Sequence, residues 1–139
     1  MAILERVWVT HTTSTDAEAN TGAAFSLEIS GNNQVANLDF PDLPHDERER
    51  GRTDQYEFDL RNWEIDHEDV LPGNVRLTIR GGEGGNAWLP QSIWVMGRTV
   101  DGQYHLLVAR PDWPATAWFS TDHSDVGGTA RTTRPLDQP

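Results

Sequence analysis

Apolar and polar residues alternate along most of this chain, with a period of two. Phe25, Leu27 and Ile29 interleave with Ser26, Glu28 and Ser30, and Val75, Leu77 and Ile79 with Arg76, Thr78 and Arg80. That is the pattern of a strand with one dry and one wet face. It predicts strands over 3–10, 25–30, 35–40, 54–60 and 75–80, then from Trp88 to Val95, over Tyr104–Val108 and over 117–120. Turn signals separate them: Gly31-Asn32, Asp101-Gly102, and the Pro-Asp-Trp-Pro of 111–114. The segment 41–53 carries two prolines and dense charge, so it cannot be a strand interior. Residues 61–73 are polar and acidic, with room for a helical turn before Pro72. About eight short strands and no long amphipathic helix predict an all-β antiparallel β-sandwich, the simplest way to bury one-sided strands. The domain is expected over 1–121, and 122–139, rich in Gly and Thr, as a flexible tail.

The middle of the chain, 74–95, reads as strand, glycine loop and returning strand opened by Trp88. Its Gly-Gly-Glu-Gly-Gly offers bare amides like a phosphate loop. No helix pattern follows, and a phosphate loop feeds a helix N-terminus, so a nucleotide site is not expected.

Composition narrows the functions. At 139 residues without cysteine, the chain is expected to close one core without disulfides, and thiolate metal sites and cysteine nucleophiles are excluded. With 22 acidic residues against 11 basic ones, all arginine, the net charge is −11. That argues against nucleic acid and against unaided binding to anionic lipid. No signal peptide or spanning segment is read, so a soluble protein is expected, cytoplasmic or exported by a route without a standard signal. No serine has a nucleophile-elbow context, and no cofactor loop or paired histidine spacing emerges, so no enzyme activity is expected.

Four segments together resemble the PLAT, or lipoxygenase homology (LH2), family. They are Asn20-Thr21-Gly22 before the second strand; Gly51, Asp54, Tyr56 and Phe58; Ala87, Trp88, Leu89, Ile93 and Val95; and Gly102, Tyr104, His105, Trp113 and Trp118. The likeness runs in order over most of 4–120, departing at the first loop and in the 61–73 insert. It implies an antiparallel sandwich of two four-stranded sheets that docks a partner domain to a membrane or protein, in some members through calcium, without being catalytic.

If neighbouring strands alternate in direction, the connections 11–22, 41–53, 81–90 and 110–115 gather at one end of the sandwich. Calcium takes six to eight hard oxygen ligands, and carboxylates and amides from separate loops could provide them. Asp16, Asn20 and Asp46 are the candidate ligands, with Trp113 at the same tip as a candidate for entering a membrane interface. Trp88 is assigned to the core, while Trp8, Trp63 and Trp94 fall on or next to outward positions. Exposed aromatics on a sheet mark a surface that something covers: a membrane, a partner protein, or, alternatively, a carbohydrate or assembly partner. Of the histidines, His105 reads as structural and the others as loop residues.

Overall fold

The computed structural model describes residues 2–16, 19, 23–41, 48–81, 87–122 and 130–139. Eight strands form in order: β1 (Leu4–Thr13), β2 (Ala24–Gly31), β3 (Gln34–Asp39), β4 (Thr53–Asp59), β5 (Val75–Gly81), β6 (Pro90–Thr99), β7 (Tyr104–Arg110) and β8 (Thr133–Pro135). One antiparallel sheet runs β4-β1-β6-β7 and the other β3-β2-β5-β8. Short 3-10 turns at His67–Asp69 and Pro72–Asn74 lie in the acidic insert, as its composition suggested.

The period-2 pattern sets which side chains face the centre. Val7 and Val9 of β1, Leu27 and Ile29 of β2, Leu77 and Ile79 of β5, and Ile93 and Val95 of β6 are all buried between the sheets. Around Trp88 the packing becomes aromatic: its ring meets Phe25, Phe119 and His11 at centroid distances of 5.0, 5.6 and 4.8 Å. The Trp88 indole N–H donates to Thr13 Oγ1 at 2.9 Å, which satisfies the polar end of a buried side chain. The β2–β3 hairpin turns through Asn32 and Asn33 at φ 50° and 60°, the left-handed pair that matches strand twist.

Three expectations fail. The strand–glycine–strand stretch is not a hairpin, because β5 pairs with β2 and β8 whereas β6 pairs with β1 and β7. The chain crosses there from one sheet to the other. Residues 117–120 form no strand; Phe119 makes only isolated bridges to Trp88 and Arg131. The eighth strand lies instead in the segment expected to be a free tail, where Thr133–Pro135 pair with β5 and Leu136 is fully buried. Three residues are too short for a periodic signal, and that strand forms because β5 leaves an edge for it to satisfy.

Candidate functional site

The outer faces of the two sheets differ, and the sheet β4-β1-β6-β7 carries the candidate site. Trp8 and Thr10 of β1, Gln55 of β4, Trp94 and Met96 of β6, and Tyr104 and Leu106 of β7 line one groove of about 460 Å³. Cross-strand pairing places them together, since Trp8 lies opposite Met96, Thr10 opposite Trp94 and Gln55, and Met96 opposite Leu106. Trp94 is 39% exposed, Met96 42%, Tyr104 59% and Leu106 55%. None of the seven side chains is charged. The Trp8 and Tyr104 rings sit 5.9 Å apart, and the Arg98 guanidinium lies 5.6 Å from the Trp8 ring centroid. Arg98 also donates to Glu5 Oε2 at 2.8 Å, so this cation is balanced at the rim. Gln55 Nε2 donates to Thr10 Oγ1 at 3.1 Å, which makes one wall polar.

Trp8 and Trp94 therefore share a surface, as their outward positions predicted. Trp63 does not. It packs half-buried against the core and lines a separate groove of about 360 Å³ with Ile3, Leu4, Arg61, Glu64 and Val100. Met96, Tyr104 and Leu106 were missed for this surface. Tyr104, Leu106 and Val108 alternate, and only Val108 is buried, because the β6–β7 register shifts between Val95 and Met96 and leaves Leu107 as an extra residue. A bulge of this kind reverses the face and has no periodic signature.

The predicted loop end does assemble. Thr13 N donates to Arg52 O, Ser14 N to Leu89 O and Leu89 N to Ala19 O, which ties three of the connections together, and Trp113 N donates to Gln91 O, which ties the fourth to the start of β6. Trp113 is not at an exposed tip, however. It is only 6% exposed, stacks on Phe119 with centroids 5.9 Å apart, and donates its indole N–H to Ala117 O at 2.9 Å. The Ala117 carbonyl satisfies the nitrogen, so the ring stays buried and does not reach outward.

Of the candidate calcium ligands, Asp16 is exposed at this end, while Asn20 and Asp46 lie outside the described residues. Among the described residues no three His, Cys, Asp or Glu side chains converge as a metal site requires. Asp54 is the buried carboxylate here and is already committed: it accepts from Arg48 N at 2.8 Å and pairs with Arg52 at 3.5 Å. The described residues alone thus do not make up the six to eight oxygens of a calcium shell.

The family-like residues make a structural lock. Gly51 holds φ +71°, a conformation that favours glycine. Arg48 is buried, donating to Tyr56 Oη at 2.8 Å and to Ala23 O at 2.9 Å, with its guanidinium 4.7 Å from the Phe25 centroid. Phe58 packs on Phe40 at 5.0 Å. Arg48 was not foreseen, since it sits in the charge-dense segment 41–53, read only as excluding a strand interior.

His11 is a second surprise. Expected in a loop, it ends up on the inner face of β1, boxed by Tyr56, Phe40 and Trp88, with neither ring nitrogen hydrogen-bonded among the described residues. Burial, followed by the nearby Arg48, lowers its pKa to about 3. His67 and His105 stack at 3.6 Å, and His45 and His123 lie outside the described residues.

Comparison with known proteins shows this fold elsewhere. No family model matches the sequence, and no curated protein does. Among solved structures, the alpha-toxin of Clostridium absonum is similar over 97% of this chain, with TM-score 0.74 and 17% identity. A Clostridium perfringens alpha-toxin from an avian strain is similar over 75%, with TM-score 0.58 and 18% identity. Coral 8R-lipoxygenase, described as calcium-activated through a C2-like domain, is similar over 82%, with TM-score 0.59 and 20% identity. The chain spans 32% and 30% of the two toxin chains and 15% of the lipoxygenase chain. It has the fold of the PLAT/LH2 domains of alpha-toxin and lipoxygenase: two antiparallel four-stranded sheets.

Proposed function

We propose that this chain is a non-catalytic docking module that seats the Trp8/Trp94/Met96/Tyr104/Leu106 face against a membrane surface, carrying an attached or associated protein with it. The observation that carries the reading is a contiguous, uncharged aromatic face on a chain of net charge −11. Soluble domains rarely leave such patches uncovered. Trp and Tyr suit an interface because one side of each ring is apolar and one edge is polar. The acidic surface repels anionic headgroups, so the face takes zwitterionic lipid in preference. Calcium at the loop end, with Asp16, Asn20 and Asp46 as ligands, would bring carboxylate-rich loops closer to phosphate. The similarity to a lipoxygenase described as calcium-activated through a C2-like domain supports that part.

Cosedimentation with phosphatidylcholine vesicles, with and without millimolar calcium, tests the lipid reading. The wild type binds and Trp94→Ala loses most of the binding. Failure to bind either zwitterionic or anionic vesicles in both conditions moves the reading from lipid to a partner protein. A thermal scan unchanged by calcium and by chelator removes the ion from it. The polar wall of Thr10 and Gln55 beside the aromatic rings favours a second reading, a neutral carbohydrate stacked on Trp94, which titration with soluble glycans checks.

A further inference from the structure

A buried histidine without hydrogen bonds and a buried arginine share one pocket at the loop end of the sandwich. The His11 ring lies 4.8 Å from Trp88 and 5.3 Å from Tyr56, and neither of its nitrogens has a hydrogen-bond partner among the described residues. Its charged and titratable neighbours among those residues come from two elements. Asp54 sits directly opposite on β4 with Tyr56 beyond it, and Arg48 reaches in from the connection before β4 to donate to Tyr56 Oη. The other sides of the box, Phe40 and Trp88, are uncharged. Burial opposes a charge on the ring, Arg48 adds to that, and Asp54 only partly offsets the two.

The two cations that would then meet are not equally anchored. His11 belongs to an inner strand, laddered to β4 on one side and to β6 on the other. Arg48 lies outside any strand and holds φ +53°, a left-handed conformation unfavourable to a residue with a side chain. Its bonds to Tyr56 Oη, Ala23 O and, from its amide, Asp54 Oδ2 keep it there. Those bonds also clip β4 of one sheet to the start of β2 in the other.

From this arrangement we infer that a proton taken up by His11 expels Arg48 from the core and opens the segment 48–52 while both sheets stay folded, an acid-triggered latch at the loop end. Two like charges in a dry pocket repel strongly, and the less anchored one gives way. Departure of Arg48 relieves its backbone strain, unclips β4 from the start of β2 and admits water. The imidazolium left behind faces Asp54, an opposite charge across the ladder, so the open form holds the proton that the closed form refuses. The latch does not rest on the docking reading, since Trp8 and Thr10 point out of β1 where His11 points in.

Amide hydrogen exchange on the whole chain, read residue by residue by NMR, tests the latch. The ring titrates near 6.5 in the open segment and near about 3 in the closed one, so the opening equilibrium rises as pH falls below 6.5. Between about pH 7 and pH 5 the protection of the Arg48 and Gly51 amides, corrected for the intrinsic rate, falls about 25-fold. Low urea leaves that exchange unchanged, whereas the Leu27 and Leu77 amides of the other sheet show the steep urea dependence of global unfolding. His11→Leu reduces the fall to less than about twofold. Arg48→Met removes the repelling charge and raises the His11 midpoint followed at the ring Cε1–H resonance. Equal protection at the two pH values overturns the proposal, as does a urea dependence at Arg48 and Gly51 matching that of Leu27 and Leu77. A fall that persists in H11L, or an R48M midpoint no higher than wild type, overturns it too. Where a variant does not fold, the wild-type pH and urea measurements decide alone.

Discussion

The two sheets bury similar inner faces, and their outer faces differ where β1, β6 and β7 meet. On β3-β2-β5-β8 the exposed positions are paired polar groups: Arg76 lies 3.9 Å from Glu28, Arg80 lies 3.8 Å from Asp39 and donates to Ser26 Oγ at 3.1 Å, and Thr78 meets Thr133 at 2.8 Å. On β4-β1-β6-β7 such contacts are confined to the β4 side, where Arg6 lies 3.8 Å from Glu57 and Thr12 meets Thr53 at 2.7 Å, while toward β6 and β7 the exposed positions are Trp8, Trp94, Met96, Tyr104 and Leu106. Both are antiparallel sheets of four strands, so the difference owes nothing to backbone architecture. A face laced with cross-strand ion pairs and hydroxyl contacts is finished in water, whereas an apolar face still has area to remove from it. That contrast is why function is placed on one sheet, and experiments that separate folding from binding on the two faces decide it.

The largest effect is expected beneath both faces. Trp88→Ala removes a ring shared by the two layers and leaves the Thr13 hydroxyl without its donor, so it is expected to lower stability by about 3–5 kcal/mol in urea titration. Leu136→Ala comes next, at about 2–4 kcal/mol. It loosens the polar-faced sheet at β8, and an unchanged urea midpoint would contradict the packed C-terminal strand.

His11 makes the core between the sheets sensitive to pH. Its folded pKa, about 3, lies below the ordinary value of 6.5, so the unfolded chain binds a proton that the folded chain refuses. Stability from this site is therefore level above about pH 6.5 and falls at up to about 1.4 kcal/mol per unit below it, until the folded pKa is reached. His11→Leu is expected to flatten the pH 7.5-to-5 slope of the urea midpoint relative to wild type. Equal slopes would show that the ring is not held neutral.

The smallest folding effects belong on the outer faces, where the contrast sharpens. Trp94→Ala and Arg76→Ala should each shift stability by less than about 1 kcal/mol, the range for exposed side chains and surface ion pairs. Only Trp94→Ala should reduce vesicle binding. If both reduce it, or neither does, the two faces are functionally alike.

How far the sequence spoke is visible in individual residues. Alternation placed Val7, Val9, Leu27, Ile29, Leu77, Ile79, Ile93 and Val95 inside, and set Trp8 and Trp94 outside, because side-chain direction in a strand depends only on parity. It could not set the faces of Tyr104 and Leu106, where one bulged residue changes the parity, and the turn signal that put Trp113 at a tip missed its burial, which depends on Phe119 and the Ala117 carbonyl. His11 and Arg48 were hidden for the same reason: a polar residue enters the core only when residues far along the chain surround it.

The sequence by itself thus determined that the chain is all-β, where seven of its strands begin and end to within a few residues, and which side chains of the regular strands face inward. Those properties are local, set by alternation, turn residues and charge. Only the tertiary structure decided that β5 and β6 belong to different sheets, that the final strand comes from the C-terminal segment, and that five aromatic and apolar side chains from three strands share one uncharged face. Pairing and register join residues far apart in the chain, and their energies are settled only when the strands meet.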